Sequence, residues 1–270
     1  MNLFLKWLSV WSIVIGMSSF SSSPDSSRIV VLTFDDAVKS HRTFVAPLLQ
    51  EYGFGATFFI SQSWMNDTLN YMSWEEIADL HRMGFEIGNH TWSHLALDKV
   101  EAARALPDEL QKVDKALENV GIPHPVSFAW PGTRFGPESL EVLRKDGYRF
   151  ARRGMQPEQP GKMGEGPLFD PHVNSLLLIP VAGSGGPDMS LDHFKAAVDQ
   201  VQPGKAAILC FHGVPDHAHP SVSTPPERFK EYMDYLKRGN FKVIAMRDLE
   251  HNLDLSHKPQ DPLEKVRFPE

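Results

Sequence analysis

Val30-Val31-Leu32-Thr33-Phe34-Asp35-Asp36 is an apolar run that ends in two adjacent carboxylates. Such a run reads as a buried strand whose C-terminal end opens into a polar site. Two like charges side by side repel, so something must separate their roles. A cation would do so, holding one carboxylate as a ligand and leaving the other free as a base. The competing reading makes Asp35-Asp36 a strand-end turn or a helix cap. Residues further along the chain decide between the two.

From Arg28 onward, short apolar runs alternate with longer helical patterns. The runs at 29–34, 56–60, 85–88, 126–130, 148–151, 176–181, 206–211 and 242–245 read as strands. Helices are expected over 44–52, from Ser73, and over 100–120, 137–146, 191–201 and 226–237. Ser73 and Glu76 form a capping-box pattern. Gly53, Gly84, Gly121 and Gly147 stand where left-handed helix caps belong. Strand then helix, repeated, implies a parallel sheet in an α/β fold. Seven or eight such units fit a closed or nearly closed (β/α) barrel better than two domains. A doubly wound open sheet shares the same pattern.

The chain has 270 residues, enough to bury a large core as one domain. Its net charge of −7, without a long basic run, argues against nucleic acid and anionic membrane surfaces as partners. Cys210 is the only cysteine, which excludes an intramolecular disulfide and a cysteine metal cluster. At the N-terminus, Lys6 precedes an apolar run over 8–17 and a serine-rich stretch over 18–27. This resembles a secretory signal peptide, the apolar run being short for a bilayer; a retained anchor is the alternative. The expected division is a signal peptide or anchor over 1–27, the main domain over 28–250 and a polar tail over 251–270. The expected location is secreted, periplasmic or envelope-associated, with no stable membrane insertion after cleavage.

In a parallel α/β barrel the active site is built at the C-terminal ends of the strands. The first strand ends in Asp35-Asp36 and the third in Asn89-His90-Thr91-Trp92-Ser93-His94. The fourth ends in Trp130-Pro131-Gly132, the fifth in Arg152-Arg153 and the seventh in His212-Gly213. His90 and His94 are four apart, a spacing that on a helical turn brings both imidazoles to one cation. Either histidine alone would more often be a capping or packed residue. Two imidazoles and one carboxylate suit zinc and similar divalent metals, with positions left open for water and substrate. Asp36 is then the third ligand, and Asp35 the general base that takes a proton from an activated water.

With these motifs the chain resembles the polysaccharide deacetylases of the NodB-homology group, carbohydrate esterase family 4. The family's Thr-Phe-Asp-Asp is matched by Thr33 to Asp36, and its His-(Ser/Thr)-x-x-His by His90 to His94. Its final histidine after an apolar strand is matched by His212 after Ile208-Leu209-Cys210-Phe211. The resemblance covers roughly Arg28 to Glu250 and implies a distorted (β/α) barrel with a divalent metal held by Asp36, His90 and His94; zinc is the metal expected. It implies Asp35 as base, His212 as the acid that protonates the leaving amine, and an acetylated carbohydrate as substrate. It also puts the amide of Gly132 where a developing oxyanion would need a donor.

The departures are specific. The family's third motif reads Arg-x-Pro-(Tyr/Phe), its arginine pairing with the base; here the frame is Ala129-Trp130-Pro131-Gly132. The fifth strand ends in Phe150-Ala151-Arg152-Arg153 where the family often carries acidic residues and a tryptophan. One of these arginines is expected to cross the site and hold Asp35 ionised, Arg152 by motif position, since strand alternation lets only one face inward. The other reading leaves both on the surface. The loop Gly213 to Pro220, with His217 and His219, either closes over the substrate or forms a rigid surface loop. Trp64, Trp92 and Trp130 offer either sugar-stacking faces or core packing. Hydrolysis of N-acetyl groups is the leading function. O-acetyl esterase action, small-molecule amide or cyclic-imide hydrolysis, and non-catalytic glycan or metal binding remain alternatives.

Overall fold

The structure is a computed structural model that describes residues 27–155 and 164–257. The segment expected to be a signal peptide lies outside them except for Ser27, as does most of the C-terminal tail. Among the described residues no helix is long and apolar enough to cross a membrane.

Eight parallel strands form one curled sheet: β1 (Ile29–Phe34), β2 (Thr57–Ile60), β3 (Glu86–Asn89), β4 (Ser127–Ala129), β5 (Phe150–Arg152), β6 (Gly183–Ser184), β7 (Ala206–Phe211) and β8 (Lys242–Ile244). Their order is β5-β4-β3-β2-β1-β7-β6, with β8 attached to β1. The expected distorted (β/α) barrel is thus the fold found. β7 pairs along the whole of β1, so β2 and β8 share the other flank. β8 takes Ile29 to Val31, and β2 takes Thr33 and Phe34.

The helices are α1 (Ala46–Tyr52), α2 (Trp74–Arg82), α3 (Val100–Asn119), α4 (Pro137–Asp146), α5 (Leu191–Asp199), α6 (Pro226–Arg238) and α7 (Leu249–Asn252). A π-helical turn, His41–Val45, leads into α1. The capping box of α2 forms as read: Glu76 N–H donates to Ser73 Oγ, and Ser73 N–H donates to the Glu76 carboxylate. Gly53 and Gly147 close α1 and α4 at φ of 71° and 93°, where a side chain would be strained.

One expected strand is corrected. Residues 176–181 form no strand of their own; only Ile179 bridges to Arg152. Pro180 has no N–H and cannot continue a ladder. The chain instead changes partner across it: Ile179 exchanges hydrogen bonds with β5, and Ala182 then donates to Ile208 of β7. This segment spans the opening between the two ends of the sheet.

The faces of β1 explain where the core sits. Val30, Leu32 and Phe34 pack outward under α1, α2 and α6. Ile29 and Val31 point inward, with Phe59, Phe150 and Ile208, and fill the lower interior. Gly88 leaves room for Phe59, since a Cβ there would stand 2.5 Å from the ring. Apolar inward residues at the bottom therefore give way to polar ones at the top.

Candidate active site

Strand alternation continues the inward column upward. Thr33 and Asp35 follow Ile29 and Val31 on β1, Arg152 follows Phe150 on β5, and Cys210 and His212 follow Ile208 on β7. Together with Asp36, His90 and His94 they line a cavity of about 330 Å³ at the C-terminal ends of the strands. Simple alternation would send Asp36 to the opposite face from Asp35. The backbone turns left-handed at Asp36 and Ala37, with φ of 74° and 56°, and both carboxylates reach the same mouth. Non-glycine residues in this region are strained, and such strain gathers at functional sites.

The two histidines also meet differently from expectation. Residues 91–94 form a bend rather than a helical turn. Thr91 and His94 adopt φ of 61° and 55°. Thr91 N–H donates to Asn89 Oδ1, and Ser93 donates from N–H and Oγ to the Glu109 carboxylate. These bonds hold a bend that leaves the imidazole centroids 4.8 Å apart.

Asp36, His90 and His94 present one ligand atom each, all within 4.8 Å of one another. His90 Nε2 and His94 Nε2 stand 3.6 and 3.8 Å from Asp36 Oδ1. Ligands about 2.1 Å from a tetrahedral cation lie about 3.4 Å apart, so the spacing fits with a small contraction. His90 Nδ1–H donates to the Ala129 carbonyl at 2.7 Å, which leaves Nε2 with its lone pair toward Asp36. Asp36 Oδ1 is buried and has no hydrogen-bond partner. Burial, then the charges of Asp35 and Asp216, push the Asp36 carboxyl well above its usual range. Burial pushes His90 down to about 3 and lowers His94, so both imidazoles are neutral and able to ligate. An orphaned carboxylate oxygen facing two imidazole lone pairs fits a divalent cation.

Asp35 has the opposite electrostatics. Burial alone would raise it, but Arg152 foremost, then His90 and His212, hold it well below the usual carboxylate range. The structure puts Arg152 against Asp35: Nη2 donates to Oδ1 at 2.6 Å and Oδ2 at 2.5 Å. The grip has two hydrogen bonds but not the two-nitrogen fork common between guanidinium and carboxylate. One nitrogen spans both oxygens, and the buried Nε has no partner. The guanidinium carbon lies 5.5 Å above the Phe59 ring, which supports it from below. Arg153 is not a surface residue; it is fully buried, and its Nε donates to the Leu178 carbonyl at 3.1 Å.

His212 Nε2 lies 3.8 Å from Asp36 Oδ2. Burial lowers its pKa while the charge of Asp35 opposes that shift. Cys210 Sγ is 3.5 Å from Asp35 Oδ2. Gly132 lines the cavity, in a turn at φ 56°. Of the tryptophans, Trp130 is core, its indole N–H donating to the Leu177 carbonyl, and Trp92 stacks on Trp74. Trp64 lines the cavity, with its ring 5.0 Å from that of His94.

Sequence reasoning missed His41 and left His219 between two readings. His219 lines the cavity and shares a 2.8 Å hydrogen bond with Tyr71. Its loop is braced by hydrogen bonds: His219 N–H donates to Asp216, Asp216 N–H to Ser223 Oγ, and Thr224 N–H to the Gly213 carbonyl. His41 is fully buried and reaches the His212 carbonyl. Tyr71 and His41 are far from their partners in sequence, and no local pattern marks either contact.

The comparisons agree with the resemblance. The family model described as polysaccharide deacetylase matches residues 22–151. A putative polysaccharide deacetylase of Bacillus subtilis, YxkH, is 25% identical over 125 residues, covering 46% of this chain and 44% of that protein. The chain spans less than half the length of the curated relatives it matches. Among solved structures, a family 4 acetyl xylan esterase from Clostridium thermocellum in complex with a cobalt ion aligns with a TM-score of 0.53 at 20% identity, over 88% of this chain and 96% of that one. A family 4 pseudoenzyme from Bacillus anthracis aligns with a TM-score of 0.56 at 17% identity, over 87% and 70%. The shared fold therefore carries both active and inactive sites.

Proposed function

From the premise that this chain resembles the polysaccharide deacetylases in sequence and shares their fold, we propose that it is a metal-dependent hydrolase that removes acetyl groups from a carbohydrate polymer. N-acetyl is the linkage we favour, zinc the metal, and the secreted or envelope compartment the setting, with residues 1–27 as the export segment and 28–250 as the catalytic domain. The observation that carries this is the pairing of two carboxylates with opposite environments: Asp36 orphaned before two imidazoles, Asp35 held ionised by Arg152.

Asp36, His90 and His94 would hold the cation. When bound, it supplies Lewis acidity, activating water and polarising the acetyl oxygen. Asp35, buried and ionised, accepts the proton of the attacking water. His212 faces the same cavity and, once protonated, donates to the leaving nitrogen; burial lowers its pKa, so the resting imidazole is neutral and must take up a proton before it acts as the acid. The amide of Gly132 is the candidate donor to the developing oxyanion. Trp64 and His219 form the wall against which a sugar would rest.

The test is acetate release from chitin oligosaccharides, peptidoglycan and acetylated xylan, with and without added divalent metal. Metal-stimulated release from at least one glycan is expected. No release from any of them, with metal bound, would end the deacetylase reading; xylan alone would shift it to O-acetyl groups.

A second expectation concerns Arg152. Its positive charge lowers the Asp35 pKa, so removing it raises that pKa. The base is inactive when protonated, so the acidic limb of the pH–rate profile should move to higher pH in Arg152→Ala. Metal content should not change, because arginine is not a ligand. The variant leaves a buried carboxylate unpaired and should also lose about 3–5 kcal/mol of stability. Arg152→Lys should recover part of both effects. An unmoved acidic limb in a folded Ala variant would show that Arg152 does not tune the base.

A further inference from the structure

His212 has no hydrogen bond to either ring nitrogen among the described residues; its nearest charged contact is Asp36 at 3.8 Å. An acid in a catalytic site needs a fixed direction, and a ring without a hydrogen-bonded partner can obtain one only from its backbone and packing. That backbone is clamped to the segment that follows the Asp35-Asp36 turn. His41 Nε2–H donates to the His212 carbonyl at 3.1 Å, and Val214 N–H donates to Ser40 Oγ at 2.8 Å. Gly213, between them, has no room for a Cβ, which would stand 2.7 Å from Val38 and Asp216.

His41 itself is costly to keep. It is fully buried against Phe34 and Phe58, with ring centroids 5.5 and 5.4 Å away. The carbonyl of His212 can only accept, so the proton sits on Nε2, and Nδ1 is left buried without a partner. Burial holds His41 neutral, with its pKa pushed down to about 4. A phenylalanine would fill the same aromatic cage with no polar atom to satisfy. The π-helical turn that begins at His41 is a local irregularity of the kind common at functional sites.

We propose that His41 is a positioning residue for His212: by donating to its carbonyl, it fixes where the acid's imidazole stands against the leaving group. This rests on the acid role given to His212 above. The consequence is selective. A leaving group that departs without a proton does not need the acid, whereas an amine or alkoxide does. Loss of His41 should therefore steepen the dependence of rate on leaving group, which general loosening of the fold would not do.

The experiment compares p-nitrophenyl acetate, phenyl acetate and an N-acetyl chitooligosaccharide in the metal-loaded enzyme. In His41→Phe, the rate on the oligosaccharide relative to p-nitrophenyl acetate should fall by roughly tenfold, a fraction of what losing an acid outright costs. Phenyl acetate should fall in between. His212→Ala should shift the same ratios further in the same direction. His41→Gln, which keeps an N–H donor, should restore most of the ratio, and metal content should match the wild type throughout. Equal losses on all three substrates, or unchanged ratios in His41→Phe, would overturn the proposal. If the wild type cleaves the esters but not the chitooligosaccharide, the two esters still decide the role of His41, and the glycan panel above decides the deacetylase reading. A wild type that cleaves none of the three and no glycan of that panel overturns both.

Discussion

Asp35→Asn should keep its metal and lose turnover by on the order of 10²-fold or more, the usual cost of removing a general base. The substitution is nearly isosteric, and the geometry says where its effect must fall. Both oxygens of Asp35 are engaged by Arg152 Nη2, while Asp36 Oδ1 is the oxygen placed between the two histidines, 3.6 and 3.8 Å from their Nε2 atoms. Metal affinity should therefore survive. An amide cannot accept the proton of water at neutral pH, and it also removes the negative charge that balances Arg152. Part of the loss is electrostatic, since an uncompensated guanidinium beside the cation opposes positive charge in the site. Metal analysis and steady-state rates on the same preparation separate the two contributions. Near-normal turnover with metal bound would show that another group is the base. Loss of metal along with activity would make Asp35 a ligand instead.

Replacing His90 or His94 with Ala removes one of the three proposed ligands and should abolish stable metal binding and metal-dependent turnover together. The two variants should differ in stability. His90 is 2% exposed and anchored to the Ala129 carbonyl between β3 and β4, so its truncation also opens a cavity and strands an acceptor. His94 has a side chain 28% exposed and should cost less. His94→Ala is therefore the cleaner test: a folded protein with an unchanged unfolding midpoint in chelator, but without bound metal. Full metal occupancy in that variant would remove His94 from the ligand set. Full occupancy in both would leave the metal somewhere other than the Asp36, His90 and His94 cluster.

The fold was legible because it depends on local periodicity. Alternation and apolar runs located β1 and β7 to the residue, and the Ser73 cap located the start of α2. The misread run at 176–181 shows where that logic ends. Its apolar character reflects burial between two strands, and whether it paired with one partner or crossed between two depended on residues far away. A proline inside the run was the one local sign.

The site divides along the same line. The sequence by itself determined which residues stand at the strand ends: Asp35 and Asp36 after β1, His90 after β3, Arg152 at the end of β5, His212 after β7. In a parallel sheet those ends share one rim, so placement there follows from order and type alone. Tertiary structure decided which atoms meet. Left-handed backbone at Asp36, Thr91 and His94, none of them glycine, turns both carboxylates and both imidazoles into one cavity. No local propensity predicts such conformations, because they cost energy locally and persist only where surrounding contacts over-determine them. The one-nitrogen grip of Arg152 on Asp35, the bond of Arg153 to the Leu178 carbonyl and the reach of His41 to His212 depend likewise on contacts across 117, 25 and 171 residues of chain. Periodicity reports which face a residue is on; only the curled sheet reports what stands opposite.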